Sequence, residues 1–187
     1  VICYLCVFIS PAVALVEVDI TRGNLEPLPI AVSPLYVEPG SQDIKLGDKI
    51  IKNVGEQIAK VIEANFRRSG LFNPLKKDSF VQKPDIAHIK PRFEDWRLIK
   101  AQALVTGKVT ISDDKLRAEF RLWDVIAAKE MIALAFSTTP ENWRRVAHII
   151  SDKIYQRLTG ETGYFDTRII YVSETGKKTQ RYKKLAI

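Results

Sequence analysis

The chain has 187 residues, is 46% hydrophobic and carries a formal net charge of +7, enough for one ordinary buried core. The charge invites a nucleic-acid reading, but five basic residues against one acid between Glu174 and Ile187 account for +4, leaving +3 for the other 173 residues. A small solvated basic tail is the simpler account, so nucleic acid is set aside as a partner.

The apolar run Val1–Ile9, followed by Pro11 and Ala12-Val13-Ala14, predicts the remnant of a secretory signal peptide over 1–14, with Ala12 and Ala14 marking an Ala-x-Ala cleavage site. An uncleaved anchor is the competing reading. It is disfavoured because the run breaks at Ser10-Pro11 and is shorter than the about 20 residues a span needs. Both cysteines, Cys3 and Cys6, lie inside this segment, so export removes all thiol chemistry despite their C-x-x-C spacing. The chain has no initiator Met and stops at Lys184–Ile187 without a closing element, which predicts a piece of a longer protein.

After the cleavage site, Leu15-Val16-Glu17-Val18-Asp19-Ile20-Thr21-Arg22 alternates apolar and polar and predicts a strand at the new N-terminus. Pro27 and Pro29 break the chain after it. Ile30–Leu35 reads as a short buried strand, and the region around Pro39-Gly40 as a loop. A first long helix is predicted from about Lys45 to Arg68, with Leu46, Ile50, Val54, Ile58, Val61 and Ile62 as its apolar stripe. Glu56/Lys60 and Glu63/Arg67 are expected ion pairs on its outer face. Ser69-Gly70 ends the helix, and Leu71–Leu75 follows as an edge strand limited by Pro74.

Residues 76–100 read as irregular, with one helical turn over Phe93–Leu98 around Trp96. Ala101–Thr110, Lys115–Asp124 and Glu130–Ser137 form a predicted antiparallel meander with one solvated face. Thr139 as N-cap, Pro140 at the first helical position and Glu141 in the first turn open a second helix, striped by Trp143, Val146, Ala147, Ile150, Ile154 and Leu158 and stopped by Gly160. Beyond a boundary near 160–166, Thr167–Ser173 reads as a strand, Gly176 as a turn and Lys183–Ile187 as a return strand. The fold class is α/β (α+β): a mixed sheet of about five strands with two helices on one face.

Chemistry-bearing patterns are sparse. His88 lies near Asp85, and His148 is four residues before Asp152, an expected helical pair. There is no nucleophile elbow, no His-Glu-x-x-His, no phosphate loop and no metal-spaced carboxylate cluster. Trp96, Trp143 and Phe165 are expected core residues. No catalytic, cofactor-binding or metal-binding residue is assigned. The terminal strand is the exception: docked on its own sheet it is structural, docked on a partner's sheet edge it is a recognition element. Chain physics leaves both open.

Several segments resemble the TolB family of the bacterial Tol–Pal envelope system. Arg68-Ser69-Gly70-Leu71-Phe72-Asn73-Pro74-Leu75 is similar to its helix-end and edge-strand motif, and Ala103–Val109 to its central strand. Ala147-His148, Ser151-Asp152 and Tyr155 to Gly160 resemble its second helix; Gly163, Phe165 and Thr167–Val172 resemble its linker and first propeller strand. The resemblance implies an N-terminal strand and linker over 15–29, an α/β domain over 30–162, and the start of a truncated six-bladed β-propeller over 163–187. It also implies a non-enzymatic, periplasmic protein. Leu15 to Arg22 would bind the C-terminal domain of TolA, with the propeller binding the lipoprotein Pal, linking the inner and outer membranes in envelope integrity and division. Val16, Val18 and Ile20 would fill one face of the partner's sheet, and Glu17, Asp19 and Arg22 would set the polar register. A propeller-containing periplasmic hydrolase or substrate-binding protein is the alternative, and envelope scaffolding with the strand folded back is a third.

Overall fold

The central element is a ladder buried on both sides. A computed structural model describes residues 26–41, 43–112, 114–168, 170–177 and 180–186. Strand β1 (Leu28–Val32) carries Ile30, Ala31 and Val32 with no exposed surface, as expected of a strand covered on both faces. It runs parallel to β5 (Phe72–Pro74) on one side and β6 (Ala103–Ser112) on the other. Strands β7 (Lys115–Asp124) and β8 (Lys129–Thr138) continue the meander, and β2 (Tyr36–Val37) pairs with the far end of β6. The order is β5-β1-β6-β7-β8 in a six-stranded mixed sheet. Edge strand β5, limited by Pro74, is where the sequence places it.

Pro29 sits inside β1 rather than breaking the chain ahead of it. Its C=O accepts the Gln102 N–H at 2.9 Å, so its nitrogen faces the side of β6 but lies one residue before the first β1–β6 pair, Ile30 with Ala103. A missing donor costs little there.

Helices α1 (Val54–Ser69) and α4 (Trp143–Thr159) pack on one face of the sheet, and their stripes interleave with Val105, Val109, Ala118, Phe120 and Leu122. The second helix opens as expected with Pro140, through a 3₁₀ turn over Pro140–Asn142, although no side-chain cap bond forms at Thr139. The first helix is shorter than predicted. Residues 44–51 form a hairpin, β3 (Ile44–Leu46) with β4 (Lys49–Ile51), and Asn53 is left-handed with φ 52°. Ile44 is buried, whereas Ile50 is 55% exposed. The physical reason is Gly47-Asp48, a two-residue turn sequence that closes the hairpin.

The opposite face is half covered. Short helices α2 (Pro84–Ala87) and α3 (Phe93–Leu98) bring Ala87 and Trp96 onto Ala31 and Leu104. Trp96 donates its indole N–H to Gln82 Oε1 at 3.1 Å, which satisfies the one polar atom of a fully buried ring. Trp96, Trp143 and Phe165 are all core residues, as expected.

Beyond α4, β9 (Tyr171–Lys177) and β10 (Gln180–Ala186) make a separate antiparallel pair. The strand begins later than predicted, and Gly176 is not at the turn; it pairs with Arg181 inside the ladder. No four-stranded blade is formed among the described residues.

The Glu56–Lys60 pair forms at 3.0 Å, but Glu63 turns to Lys77 of the next segment, at 3.9 Å, rather than to Arg67 as an ion pair. Among the described residues neither Glu63 Oε1 nor Lys77 Nζ has a hydrogen-bond partner. Burial pushes the Glu63 carboxyl above its ordinary value, against the pull of Lys77 and Arg67. A carboxyl raised on folding favours the folded state below the ordinary carboxylate range and loses that contribution as pH rises through its folded value. Glu63→Gln is therefore expected to raise stability at pH 7 by up to about 1 kcal/mol. The gain should vanish in urea unfolding at pH 4, where Glu63 itself is protonated.

Candidate functional site

All sequence-predicted site residues, Leu15 to Arg22 with Ala12 and Ala14, lie outside the described residues, as do Cys3 and Cys6. What the structure supplies is their root. The Leu28 N–H donates to the Leu71 C=O at 2.9 Å, and from there the chain is locked into the sheet centre. Strand β1 starts at the end of the sheet where β6 and β8 start and β7 finishes.

The sheet has two unequal edges. Strand β5 is three residues long and ends at proline. Strand β8 is ten residues long, pairs among the described residues with β7 on one side only, and carries no charge from Met131 to Thr138. Beside it, Phe136, Val146 and Ile149 line a groove of about 190 Å³ against α4. Ile132, Leu134 and Phe136 project to the helix side, with Leu134 still 37% exposed. A long uncharged edge next to an apolar groove is the geometry that accepts an added strand. The alternation of Ile132, Leu134 and Phe136 was legible in the sequence; that this strand stays at the edge was not.

His88 stacks on Tyr36 with centroids 4.4 Å apart, and its Nδ1 lies 3.0 Å from the Pro84 C=O, so Nδ1 carries the donor hydrogen. Beside it a shallow cleft of about 280 Å³ holds Lys108, Glu119 and Arg121. Glu119 is paired with Arg117 at 3.0 Å and Arg121 with Glu130 at 3.6 Å. These are exposed pairs, without a nucleophile or a poised base.

His148 does not pair with Asp152. Its Nδ1 is 3.0 Å from Asn65 Nδ2 on the facing helix. Asp152 turns the other way and accepts the backbone N–H groups of Phe165 and Asp166 at 2.7 and 3.0 Å. Gly163 permits this approach, because a Cβ there would fall 2.4 Å from Asp152 Oδ1. Arg145 adds an ion pair to Asp166 at 3.2 Å. Residues 163–166 are thus strapped to α4. Among the described residues no group of three or more His, Cys, Asp or Glu could hold a metal ion, and no helix is long and apolar enough to cross a membrane.

Comparison with known proteins gives a consistent result. Residues 16–131 match the family model described as the TolB amino-terminal domain. The chain is 68% identical over 178 residues to the Tol-Pal system protein TolB of Pelagibacter ubique (strain HTCC1062), a match that spans 94% of this chain and 40% of that protein. The chain therefore spans about two fifths of the length of that relative. Among solved structures, TolB from Acinetobacter baumannii superposes with a TM-score of 0.61 at 25% identity, over 83% of this chain and 34% of the other. A hypothetical protein from Chlamydia trachomatis shares the fold alone, with a TM-score of 0.51 and 10% identity over 73% of this chain and 100% of that one.

Proposed function

This chain belongs to the TolB family, and from that premise we propose that it is the amino-terminal part of a periplasmic Tol–Pal component that works by binding proteins rather than by catalysis. The observation that carries this is the 68% identity to a Tol-Pal system protein over 94% of the chain. In this reading export is followed by cleavage after Ala14, and contact with membranes is made through partners. The strand Leu15 to Arg22 binds the C-terminal domain of TolA by strand addition. Backbone bonds contribute affinity, at about 1 kcal/mol net each, and Val16, Val18 and Ile20 contribute the apolar face. Support comes from the family match, which starts at residue 16, inside that strand.

The α/β unit is assigned to 30–162 and the start of a propeller to 163–187, with Pal bound by the rest of the propeller. Exposed apolar side chains on the terminal hairpin support this. Val172 and Leu185 are 55% and 76% exposed, as strands that await the remainder of a blade would be.

Deleting residues 15–22 is expected to abolish calorimetric binding to the TolA C-terminal domain while leaving the thermal midpoint unchanged, because the core strand β1 spans Leu28–Val32 and does not include them. Unchanged affinity would overturn the assignment. The open β8 edge favours a second reading, in which the strand rests on its own sheet. Slow amide exchange at Val16 to Ile20 in the isolated protein is its signature, and fast exchange there excludes it.

A further inference from the structure

Helices α1 and α4 leave a groove of about 220 Å³ between their outer faces. A buried relay determines the state of its floor. Asn65, 1% exposed, donates from Nδ2 to Ser151 Oγ at 2.9 Å, and the same nitrogen lies 3.0 Å from His148 Nδ1. The Ser151 hydroxyl donates to the Ala147 C=O at 2.8 Å, so its oxygen can only accept from Asn65. The amide nitrogen, not its oxygen, therefore faces both partners. Its second hydrogen points at His148 Nδ1, which must be bare, and the ring proton sits on Nε2. Charging the ring would set two N–H groups head-on, or flip the amide and break the Ser151 bond. Burial, then the nearby Arg144, push the imidazole below its ordinary value, which keeps it neutral at pH 7.

The rim of the groove is cationic. Lys60 and Arg68 come from α1 and Arg144 from α4. Lys60 has only an exposed pair with Glu56, and Arg68 and Arg144 have no carboxylate partner among the described residues. Arg144 lies 4.9 Å over the Trp143 ring, a stacking contact that leaves its N–H groups unspent. The nearby carboxylates are engaged elsewhere, Asp152 by two backbone N–H groups and Asp166 by Arg145.

We propose that this groove is a binding site for a phosphoryl group, held by Arg68, Arg144 and Lys60 with the Nε2–H of His148 as the fixed neutral donor. Solvated surface cations alone would not single out a ligand. Here a relay buried between the helices presets one donor, and two guanidinium groups stand unpaired around it. Donors arriving from two helices outnumber what one planar carboxylate accepts, whereas a phosphoryl group spreads three terminal oxygens in space. The proposal is independent of the N-terminal strand and of TolA binding.

The test follows the ¹⁵N resonances of the histidine rings in the full-length protein during titration with inorganic phosphate, with ionic strength held constant by chloride. A saturable shift of His148 Nε2, with His88 unmoved, is expected. Arg68→Gln and Arg144→Gln should each weaken the midpoint about tenfold. Both arginines are exposed, so the variants should melt with the parent. His148→Gln, judged by calorimetry, should retain part of the affinity by keeping a neutral N–H donor. Co-flotation with phosphatidylglycerol vesicles but not phosphatidylcholine, lost in the same variants, would identify a lipid headgroup as the source. Phosphate binding without flotation would identify a soluble phosphate. A shift that is absent or unsaturable, or variants that bind as the parent does, would overturn the proposal.

Discussion

Phe66→Ala is expected to destabilise the chain by about 3–5 kcal/mol, which lowers the thermal midpoint by roughly 10 °C or more for a domain of this size. Phe66 has no exposed surface and stands where α1, β5, α4 and the segment after α4 meet. Its ring lies 4.9 Å from that of Phe72 and 6.4 Å from that of Phe165, and Tyr155 closes the group at 6.1 Å from Phe72 and 5.8 Å from Phe165. Truncation removes the transfer free energy of the ring and two edge or tilted contacts, and leaves a cavity that four separate elements cannot collapse together to fill. Phe66→Leu retains most of the volume and should cost under about 1.5 kcal/mol. Urea unfolding of the two variants separates the cases. A loss below 1 kcal/mol for the alanine variant would mean that the end of α1 is not docked as described.

Gly55→Ala is expected to destabilise by about 2–3 kcal/mol, the opposite sign from what helix propensity alone predicts. Alanine is preferred over glycine inside a helix by about 1 kcal/mol. At Gly55, however, a Cβ would lie 1.9 Å from the Leu35 carbonyl oxygen and 3.1 Å from Val37 Cγ2. The same two backbones are joined by the Leu35 N–H donating to the Gly55 C=O at 3.2 Å. The first turn of α1 would have to lift off the β1–β2 connection, taking Val54 and Ile58 away from the core. A rise in the urea midpoint would show that helix propensity dominates and that this backbone contact is loose.

Where expectation and structure part company, the reason is physical in each case. Leu46 and Ile50 are four apart, a spacing that suits a helix stripe, yet they belong to opposite strands of a hairpin because Gly47-Asp48 closes a two-residue turn. A short apolar run cannot be assigned by period alone, and the turn chemistry was the deciding feature. The His148–Asp152 spacing met the rule for a helical pair. Asp152 instead finds two backbone donors 13 and 14 residues further on, and His148 finds Asn65 across 83 residues. Nothing local announces either partner. Pro29 looked like a breaker because its position relative to the start of β6 depends on register between strands more than 70 residues apart.

The sequence by itself determined what depends on neighbours a few residues away: the stripes of α1 and α4 with their stops at Gly70 and Gly160, the strict alternation of β7, and the edge character of β5. It also carried the family resemblance, since the match rests on residue identities. Tertiary structure alone decided which edge stays open and which arginines lack a carboxylate among the described residues, and which histidine nitrogen carries its proton. Those depend on register and on the packing of α1 against α4, where Asn65, His148 and Ser151 meet across more than 80 residues of chain. A buried hydrogen-bond network is settled only when every donor and acceptor in it is placed, and a linear pattern places none of them.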